Sequence, residues 1–416
     1  MSAVLIDYGC HSFTYRLASR LRSQGFPIRY FANGSLESPN CSSLPAWQHG
    51  EPDLIRIIRC RKPYGKVSLI GRLKGELEWA GQCTRALEQE RPSVIVGSCI
   101  PLAALTRIQN WALRRRVSFV YWLQDIQGRA IHDLLGRALG FPGRVLGSFA
   151  YIWEQHMIDR SQMAITIARG HERELPHTVR CQQRFALLEN WANVEEIPVC
   201  SRANDWAALH GLDKSLNIIY SGTLGLKHDL GLFLQLAKKF CNRQNVRIVV
   251  VSSGQAAERL QTEALKMHLT NLTVLPFQDY RDLPQVLGSA AVLIAPLDAS
   301  AGKFCVPSKI LSYFCAGRPT VIAISRENPA ASMIERAQAG LVVQPGNSAE
   351  FIAAVTRLID NQELRNQAGQ SARAYAERTF SLDNVVPRFL QILRSAGVAA
   401  NGLPSQPVPA AVRAAS

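Results

Sequence analysis

The segment Pro307-Ser308-Lys309 has residue types and spacing that suggest anion-binding chemistry in this 416-residue chain. An apolar run over 290–295 precedes it and is typical of a buried parallel strand. A short helix is predicted over 310–316, and Gly317 is its stop signal. A helix that starts beyond a parallel strand presents unpaired N–H groups and a positive dipole end, to which Lys309 adds a full charge. These features predict an anion site, with phosphate as the expected ligand.

A second loop of similar chemistry follows the predicted strand 216–222. Gly222 and Gly225 let the backbone approach a ligand, and Lys227 adds another positive charge. One glycine-containing loop is usually an ordinary turn, and that alternative stays open for each loop alone. Two such loops, each with a lysine, predict two arms of one diphosphate site. Neither loop matches the P-loop pattern or the dinucleotide-binding pattern.

Alternating strands and helices must position these loops. In the first half, apolar β-branched runs predict strands at 3–8, 27–32, 93–98, 117–123 and 163–168, with amphipathic helices between them. The order repeats from 216 to 345. This βαβα order predicts an α/β protein with two doubly wound parallel sheets. Ligands of such sheets bind beyond the carboxyl ends of the strands, by default in a crevice between domains.

The same order predicts the domain boundaries. An N-terminal Rossmann-like domain is predicted over 1–195 and a C-terminal one over 196–380. A last helix follows over 381–396, with Ser381 as its N-cap. The Ala/Pro/Ser-rich tail, 397–416, is predicted to be disordered.

The net charge of +15 is explained either by an acidic partner or by a solvated basic surface. The basic residues are dispersed and no nucleic-acid-binding motif is present, so we do not expect nucleic acid to bind. Residues 131–152 mix Leu, Phe and Tyr with Arg, as an element at an anionic membrane surface would. A partly buried helix pair and a plain solvated surface are equally consistent with this pattern.

Localisation and redox state follow from what the sequence lacks. No apolar run is long enough to span a bilayer, and the N-terminus reads as a strand and not as a signal peptide. We therefore expect a cytoplasmic protein. Its ten cysteines are scattered without zinc-binding spacing, and they are expected to be reduced.

Three segments in the second half carry a family resemblance. YSGTLGLKHDLGLFLQLAKKF, VLPFQDYRDLPQVLGSAAVLIAPLD and VPSKILSYFCAGRPTV occur in an order and spacing that resemble the retaining, nucleotide-sugar-dependent glycosyltransferases of family 4. The upstream ALLENWANVEEIP is similar to a segment at the domain seam of the bacterial exopolysaccharide, colanic-acid and O-antigen enzymes. The resemblance implies the GT-B architecture, in which two Rossmann-like doubly wound domains face a central cleft. It also implies that the helix 381–396 packs back toward the N-terminal domain.

The resemblance places a sugar nucleotide on the second domain. Its diphosphate would be met by the Gly222–Lys227 loop and the Pro-Ser-Lys helix, and its nucleobase would lie by the loop after the strand 272–277. The implied donor-binding residues are Gly222, Thr223, Lys227, Phe277, Gln278, Pro307, Ser308, Lys309 and Ser312. For Phe277, packing in the core is the open alternative.

Two departures from the family pattern stand out. The family's Glu-x7-Glu pair falls on Phe304 and Ser312, and Asp298 is the nearest carboxylate upstream. The usual arginine of the first anion loop is Thr223. Neutralisation of a diphosphate would therefore depend on lysines, namely Lys227, Lys303 and Lys309.

The first domain would supply the acceptor side. VYWLQDIQGRAIHDLLG resembles a strand end that faces the cleft in related enzymes, so Asp125 is the candidate for orienting the acceptor hydroxyl or taking its proton. An N-cap or structural role for Asp125 is the alternative. The other acceptor-side candidates are Gly9, Cys10, His11 and Gln124, and His132 is a further histidine that could help.

The resemblance implies a hexosyltransferase that moves a hexose from a UDP- or GDP-sugar to an acceptor hydroxyl, with retention. The expected acceptor is a polyprenyl-linked glycan in exopolysaccharide or O-antigen synthesis. The basic first domain would then be peripheral on the inner face of the cell membrane. No cofactor and no metal are expected, because the sequence places no carboxylate cluster at the site. A catalytically inactive scaffold of the same fold and a sugar-nucleotide 2-epimerase are the alternatives.

Overall fold

The computed structural model describes residues 2–36, 53–64, 69–224, 229–297 and 307–397. The chain divides into two compact units, one of Met1–Glu189 with Leu382–Ser416 and the other of Asn190–Ser381. Of the predicted tail 397–416, everything after Gly397 lies outside the described residues.

The first unit contains a seven-stranded, fully parallel sheet in the order β3-β2-β1-β4-β5-β6-β7. Its strands are β1 Ala3–Asp7, β2 Ile28–Asn33, β3 Ile55–Ile58, β4 Val94–Ser98, β5 Ser118–Leu123, β6 Met163–Thr166 and β7 Phe185–Leu187. Its helices are α1 Ser12–Ser23, α2 Leu69–Glu90, α3 Leu102–Arg114, α4 Gln127–Asp159, α5 His177–Cys181 and, at the end of the chain, α14 Leu382–Ser395, with a 3-10 turn at His171–Glu174. All five residues of β1 and of β4 are buried, which explains their near-continuous apolar sequence.

The second unit contains a six-stranded parallel sheet in the order β10-β9-β8-β11-β12-β13. Its strands are β8 Leu216–Ser221, β9 Val246–Val251, β10 Leu272–Leu275, β11 Ala290–Pro296, β12 Thr320–Ala323 and β13 Gly340–Val343. Its helices are α6 Asp205–Leu209, α7 Leu230–Lys239, α8 Gln255–Lys266, α9 Leu283–Gly288, α10 Ser308–Cys315, α11 Pro329–Ala337, α12 Ser348–Asp360 and α13 Gln362–Phe380, with a 3-10 turn at Tyr280–Asp282.

In each sheet the first strand is central, β1 in the first sheet and β8 in the second. The chain adds strands on one side of it and then continues on the other side. The predicted α/β class with two Rossmann-like, doubly wound sheets is therefore confirmed. In each sheet the loops that leave these central strands emerge at the carboxyl edge, where the order reverses and ligands of such folds bind.

The last helix, α14, belongs to the first unit. Arg20 of α1 forms an ion pair with Asp383 at its start. The ring of Phe389 lies 5.8 Å, between centroids, from that of Trp122 on β5. This C-terminal helix thus packs against elements from the N-terminal half of the chain.

Helix α4 is interrupted in its middle. Gly140 has φ 64° and ψ −135°, values outside the helical region, and Pro142 follows it. The segment is therefore two helical arms, 127–139 and 141–159, joined by a sharp turn. In the described part of the chain, no helix is long and apolar enough to cross a membrane.

Candidate functional site

Lys309 lies in the first turn of α10, beyond the carboxyl edge of the second sheet. Its Nζ donates a hydrogen bond to the hydroxyl of Tyr220, at 2.6 Å, and lies 4.0 Å from the centroid of the same ring. Tyr220 stands on β8, which pairs directly with β11, the strand before α10. The pairing of these two strands is what brings Lys309 to the loop after β8.

The charge of Lys309 has little compensation from the part of the chain that the structure describes. Burial lowers the pKa of its ammonium to about 7. Burial also raises the pKa of the Tyr220 hydroxyl, so this partner stays neutral. None of the ion pairs formed among the described residues includes Lys309. An arriving anion would therefore be the group that stabilises its charged form.

The loop after β8 folds against this lysine. The Tyr220 hydroxyl donates to the carbonyl oxygen of Thr223, at 2.7 Å, so one phenol links the loop to Lys309. Gly222 has φ +140°, and a Cβ there would lie 3.3 Å from the Nζ of Lys309. Gly222, Thr223 and Lys309 are thus brought together, whereas Lys227 lies outside the described residues.

Tyr313 fixes α10 to the sheet. Its hydroxyl lies 3.3 Å from the backbone nitrogen of Ser221, which donates to it, and 3.3 Å from the carbonyl oxygen of Ile294 on β11. Burial raises its pKa, so the hydroxyl keeps its proton. These bonds hold α10 against both β8 and β11.

The amino end of α10 is open. Pro307 is the N-cap residue and no side chain caps the helix within the described residues. Ser308 is exposed, and Ser312, one turn further on, is half-buried. The backbone nitrogen of Ile310 donates to the carbonyl oxygen of Pro307, at 3.0 Å. The positive end of the helix dipole and Lys309 together form a cationic helix end suited to an oxyanion. Lys303, Phe304 and Asp298 lie outside the described residues.

The loop after β10 offers an exposed aromatic ring. Phe277 is 51% exposed, so the alternative of core packing is wrong. Its backbone nitrogen donates to the hydroxyl of Ser253, at 2.9 Å. The side-chain oxygen of Gln278 accepts from the indole of Trp206, at 2.9 Å, and its amide donates to the carbonyl of Pro276. Gln278 thus braces the loop, and the Phe277 ring is available for stacking.

The first unit has its own polar cluster where β1 ends. Asp7 is fully buried, and its carboxylate accepts hydrogen bonds from the backbone nitrogens of Gly9 (3.0 Å) and His11 (2.7 Å). The hydroxyls of Thr14 and Tyr30 also donate to it. The Nδ1 of His11 lies 3.2 Å from Asp7 Oδ1. This network fixes the loop of residues 8–11 over the strand end.

The two charges of this cluster stabilise each other. Burial opposes protonation of His11, but the Asp7 carboxylate outweighs it and raises the pKa of His11 well above its usual value. Burial likewise opposes ionisation of Asp7, but His11 and the hydrogen bonds lower its pKa. Burial raises the pKa of the neighbouring Cys99 thiol. The pair therefore favours the imidazolium form of His11, a hydrogen-bond donor, at the edge of the first sheet.

Asp7, His11 and Cys99 place three potential ligand atoms within 4.8 Å of one another. The Asp7 oxygens, however, already accept five hydrogen bonds, and His11 is held as a cation. A metal ligand set requires a neutral imidazole and free carboxylate lone pairs. The chemistry of this donor set fits a hydrogen-bonded charge pair better than a metal site.

The remaining first-unit candidates lie at the same edge but differ in accessibility. Asp125, two residues after β5, is exposed, and its charge contributes to raising the pKa of Cys99. The N-cap of α4 is Ile126, so the N-cap alternative for Asp125 is wrong. Gln124 is buried. Cys10 is buried as well, its sulfur 3.2 Å from the backbone nitrogen of Asn33, so it serves the fold.

Two further candidates from the sequence are placed by neighbouring side chains. Gly9 lies under the His11 ring, because a Cβ there would come 2.2 Å from its Cε1. His132 is on the first arm of α4, paired with Asp133 at 3.2 Å. His132 therefore belongs to the surface of α4 and not to the Asp7 cluster.

Sequence reasoning missed Asp7, Cys99, Tyr220 and Tyr313. An aspartate at the end of an otherwise apolar strand, followed four residues later by histidine, was the available signal for the first pair. The tyrosines gave no signal, because each is indistinguishable in sequence from an ordinary core aromatic.

Comparisons with known proteins agree with this organisation. Residues 8–191 match the family model described as glycosyl transferase 4-like domain, and residues 204–375 match that of glycosyl transferases group 1. WcaI of Escherichia coli (strain K12), a protein assigned to colanic acid biosynthesis as a glycosyl transferase, is 22% identical over 275 residues, which are 65% of this chain and 66% of WcaI. The alpha-D-kanosaminyltransferase of Streptomyces kanamyceticus is 22% identical over 191 residues, 45% of this chain and 48% of that enzyme.

The chain thus spans just under two thirds of WcaI and about half of the kanosaminyltransferase. Among solved structures, HepE of Anabaena in complex with UDP and glucose superposes with a TM-score of 0.70. It is 14% identical, and the match covers 95% of this chain and 100% of HepE. At that identity the likeness concerns the fold.

Proposed function

Because this chain belongs to the family 4 glycosyltransferases of the GT-B fold, of the WcaI type, we propose that it transfers a hexose from a UDP- or GDP-sugar to an acceptor hydroxyl, with retention. The observation that carries the proposal is Lys309, a half-buried lysine that forms no ion pair with any described residue. It lies at a helix start that no described side chain caps, against the glycine of a neighbouring strand-end loop.

The proposal assigns the donor diphosphate to this place. When the bond between the sugar C1 and the phosphate oxygen breaks, its electron pair moves to the diphosphate. The Lys309 ammonium and the first N–H groups of α10 would stabilise that charge as it develops. Lys227 and Lys303 are the further cations of the proposal, which needs no metal and no organic cofactor.

The nucleoside would extend toward the β10 end of the second sheet. There Phe277 offers an exposed ring for the base. Ser312, one helical turn after Lys309, would meet the ribose with a hydroxyl in place of the family's carboxylate. Since a neutral hydroxyl binds a diol more weakly than a carboxylate does, more of the donor affinity would come from Lys309.

On the acceptor side, Asp125 is the proposed group that orients the hydroxyl or takes its proton as the acceptor oxygen bonds to C1. It is exposed at a strand end of the first unit. The Asp7 carboxylate raises the pKa of His11 well above its usual value, which favours His11 as a proton donor over a role as base. As a donor, it is suited to a phosphate or hydroxyl oxygen of a substrate.

We propose a polyprenyl-linked glycan as the acceptor and the inner face of the cell membrane as the place of reaction. The relation to WcaI and the net charge of +15 support a role in exopolysaccharide synthesis at an anionic surface. Thr223 and Ser312, where the family pattern has charged residues, keep a catalytically inactive scaffold as the second candidate. A sugar-nucleotide 2-epimerase is not favoured by any described residue.

Donor binding tests the proposal. A UDP- or GDP-sugar at a hundredfold excess over its Kd should stabilise the wild type by about 2.7 kcal/mol, seen as a rise in Tm. Lys309→Ala should show no such rise, whereas Lys266→Ala, a change to an exposed lysine on α8, should behave as the wild type. Normal sugar transfer by Lys309→Ala would contradict the site assignment. A wild type that no sugar nucleotide stabilises would favour the scaffold.

A further inference from the structure

The two arms of α4 form a hairpin, named here the α4 hairpin, whose contact surface is made of glycines. A Cβ on Gly128 would lie 2.6 Å from the Cα of Tyr151, and one on Gly147 would lie 2.3 Å from the Cα of His132. A Cβ on Gly143 would lie 1.9 Å from the carbonyl oxygen of Leu135. The arms are therefore in backbone contact along their length, at spacings of about one helical turn.

Glycine packing leaves the large apolar side chains on the outside. In a water-soluble helix pair these side chains would fill the interface, and small residues would be outside. The exposed apolar residues of the hairpin are Ile131, Leu134, Leu139, Phe141, Val145, Leu146, Phe149, Ile152 and Trp153. Phe141 at the turn is 78% exposed and Phe149 is 66% exposed. Close helix contact through small residues, with apolar residues outward, is the arrangement that helices use in lipid.

The hairpin is anchored at its base and bare at its tip. The buried carboxylate of Glu154 accepts from the backbone nitrogens of Gln127 (3.0 Å) and Gly128 (2.7 Å), which ties the second arm to the start of the first. Trp153 donates to the hydroxyl of Thr106 on α3, at 2.9 Å. At the turn, a Cβ on Gly140 would meet no atom within 4 Å. The turn therefore has open space around it among the described residues.

The charges around the hairpin are complementary to phosphate headgroups. The hairpin, residues 127–159, carries three arginines and the three acids Asp133, Glu154 and Asp159. Glu154 is buried and Asp159 pairs with Arg184 at 3.3 Å, so the exposed charge beside the turn comes from arginine. Arg137 and Arg144 are exposed and lie on either side of the turn, and Arg129 pairs with Asp133 at 3.7 Å. Arginines that flank apolar residues can place their guanidinium groups among headgroups while the apolar residues enter the hydrocarbon.

A groove of about 720 Å³ beside the second arm is also lined by apolar side chains and arginines. Leu73 and Leu77 of α2 and Trp153 of the hairpin provide its apolar wall. Arg107 and Arg114 of α3 lie at its rim, where Glu88 of α2 is paired with Arg115 at 2.7 Å. The apolar surface bordered by arginine thus continues from the hairpin across α2 and α3. Contiguous exposed apolar patches that are bordered by polar residues mark interaction sites on soluble proteins.

We propose that the α4 hairpin docks the first unit on an anionic lipid bilayer, with Phe141 and Phe149 entering the headgroup–hydrocarbon boundary and Arg137 and Arg144 meeting lipid phosphates. The inference extends the proposed function, since a lipid-linked acceptor would bring the enzyme to the membrane, but its observations concern a different part of the chain. The hairpin lies in the interface and does not span the bilayer.

Vesicle sedimentation tests the proposal with the full chain. Wild type should pellet with phosphatidylglycerol-containing vesicles and remain in solution with phosphatidylcholine vesicles. Phe141→Ser/Phe149→Ser should lower the partition coefficient by about tenfold or more, since each buried ring contributes to insertion. Arg137→Gln/Arg144→Gln should weaken binding and reduce its salt dependence. Leu265→Ser, which removes a side chain 70% exposed on α8 of the second unit, is the matched control and should bind as wild type.

Several outcomes would overturn the proposal. These are a wild type that stays in solution with anionic vesicles, a Phe141/Phe149 variant that pellets as the wild type does, and an equal loss in Leu265→Ser. Light scattering that shows a dimer without vesicles, lost in the Phe141/Phe149 variant, would assign the face to a second copy of the chain. Each variant is first checked for an unchanged Tm. Binding of UDP-glucose without vesicles is measured separately, so its failure would count against the proposed function and not against the docking face.

Discussion

Raising the pH should weaken donor binding because it discharges Lys309. Burial lowers the pKa of this lysine from 10.5 to about 7 in the free protein. Each pKa unit corresponds to about 1.36 kcal/mol, so burial disfavours the ammonium by up to about 5 kcal/mol. A diphosphate that contacts Nζ offsets this penalty, because it favours the charged form. The protein should therefore take up a proton when it binds the donor above about pH 7.

The size of the effect follows from the same shift. Above about pH 7 the charged fraction of the free protein falls tenfold per pH unit, so the Kd for UDP-glucose should rise by up to about tenfold per unit, until the pKa of the complex is reached. For stability without ligand the sign is opposite. The depressed pKa of Lys309 contributes stability that is complete above 10.5 and is lost as the pH falls through about 7.

Titration calorimetry measures both quantities. UDP-glucose is the suitable probe, since its diphosphate is esterified at both ends and does not itself titrate near neutral pH. Binding is measured from about pH 6 to about pH 9, in pairs of buffers with different ionisation enthalpies, which reveals proton uptake. Lys309→Met should abolish the uptake, whereas Lys266→Met should not. Equal affinity across this range, or the same proton uptake in Lys309→Met, would refute the reasoning.

Three further predictions concern residues that stabilise the Lys309 site, the α4 hairpin and the Asp7 cluster. Gly222→Ala should lower Tm and donor affinity, because φ +140° costs a non-glycine residue about 1–3 kcal/mol and the new Cβ contacts the Lys309 ammonium; calorimetry that finds wild-type affinity would contradict this. Burial raises the pKa of Glu154 to about 7, so its stabilising contribution is complete below 4.5 and is lost as the pH rises through about 7. Urea unfolding of Glu154→Gln should therefore lack up to about 3 kcal/mol of pH dependence, and an unchanged pH profile would count against the burial argument. Asp7→Asn should lower the free energy of unfolding by about 3–5 kcal/mol, since it leaves His11 beside a neutral amide. The pKa of His11, followed by NMR, should fall in the same variant. A variant with wild-type stability would show that the fold does not need the pair.

The strands that carry the candidate site were predictable because full burial demands a continuous apolar run. The six residues at 290–295 are such a run, and β11 is buried throughout. The position of Gly222 and Lys309 at one edge of the sheet was also predictable, since loops that leave parallel strands of one sheet emerge at the same edge. What sequence could not give was that β8 and β11 are direct neighbours, which depends on strand order.

The cluster around Asp7 was beyond reach for a different reason. Its hydrogen-bond donors come from a loop, from α1 and from β2, and only the three-dimensional structure shows that Thr14 and Tyr30 converge on one carboxylate. For residues 131–152, now part of the α4 hairpin, the sequence was consistent with both a membrane-surface element and a partly buried helix pair. Sequence shows that glycines are present in 127–159, but it does not show that Gly128, Gly143 and Gly147 lie against the backbone of the opposite arm. Strand β3 was missed because its burial is only partial and Arg56 interrupts its apolar pattern.

The placement of α14 has a consequence for dissecting the enzyme. Since Leu382–Ser416 belongs to the first unit, the second unit is an insertion, joined to the first by two chain crossings, after Glu189 and after Ser381. A chain that stops at Glu189 would lack Phe389 and leave Trp122, which packs against it, open to water. The continuous segment Asn190–Ser381 can be expressed alone to study donor binding. The first unit cannot be produced by simple truncation. Residues 190–381 must be deleted, and a short linker must join Glu189 to Leu382.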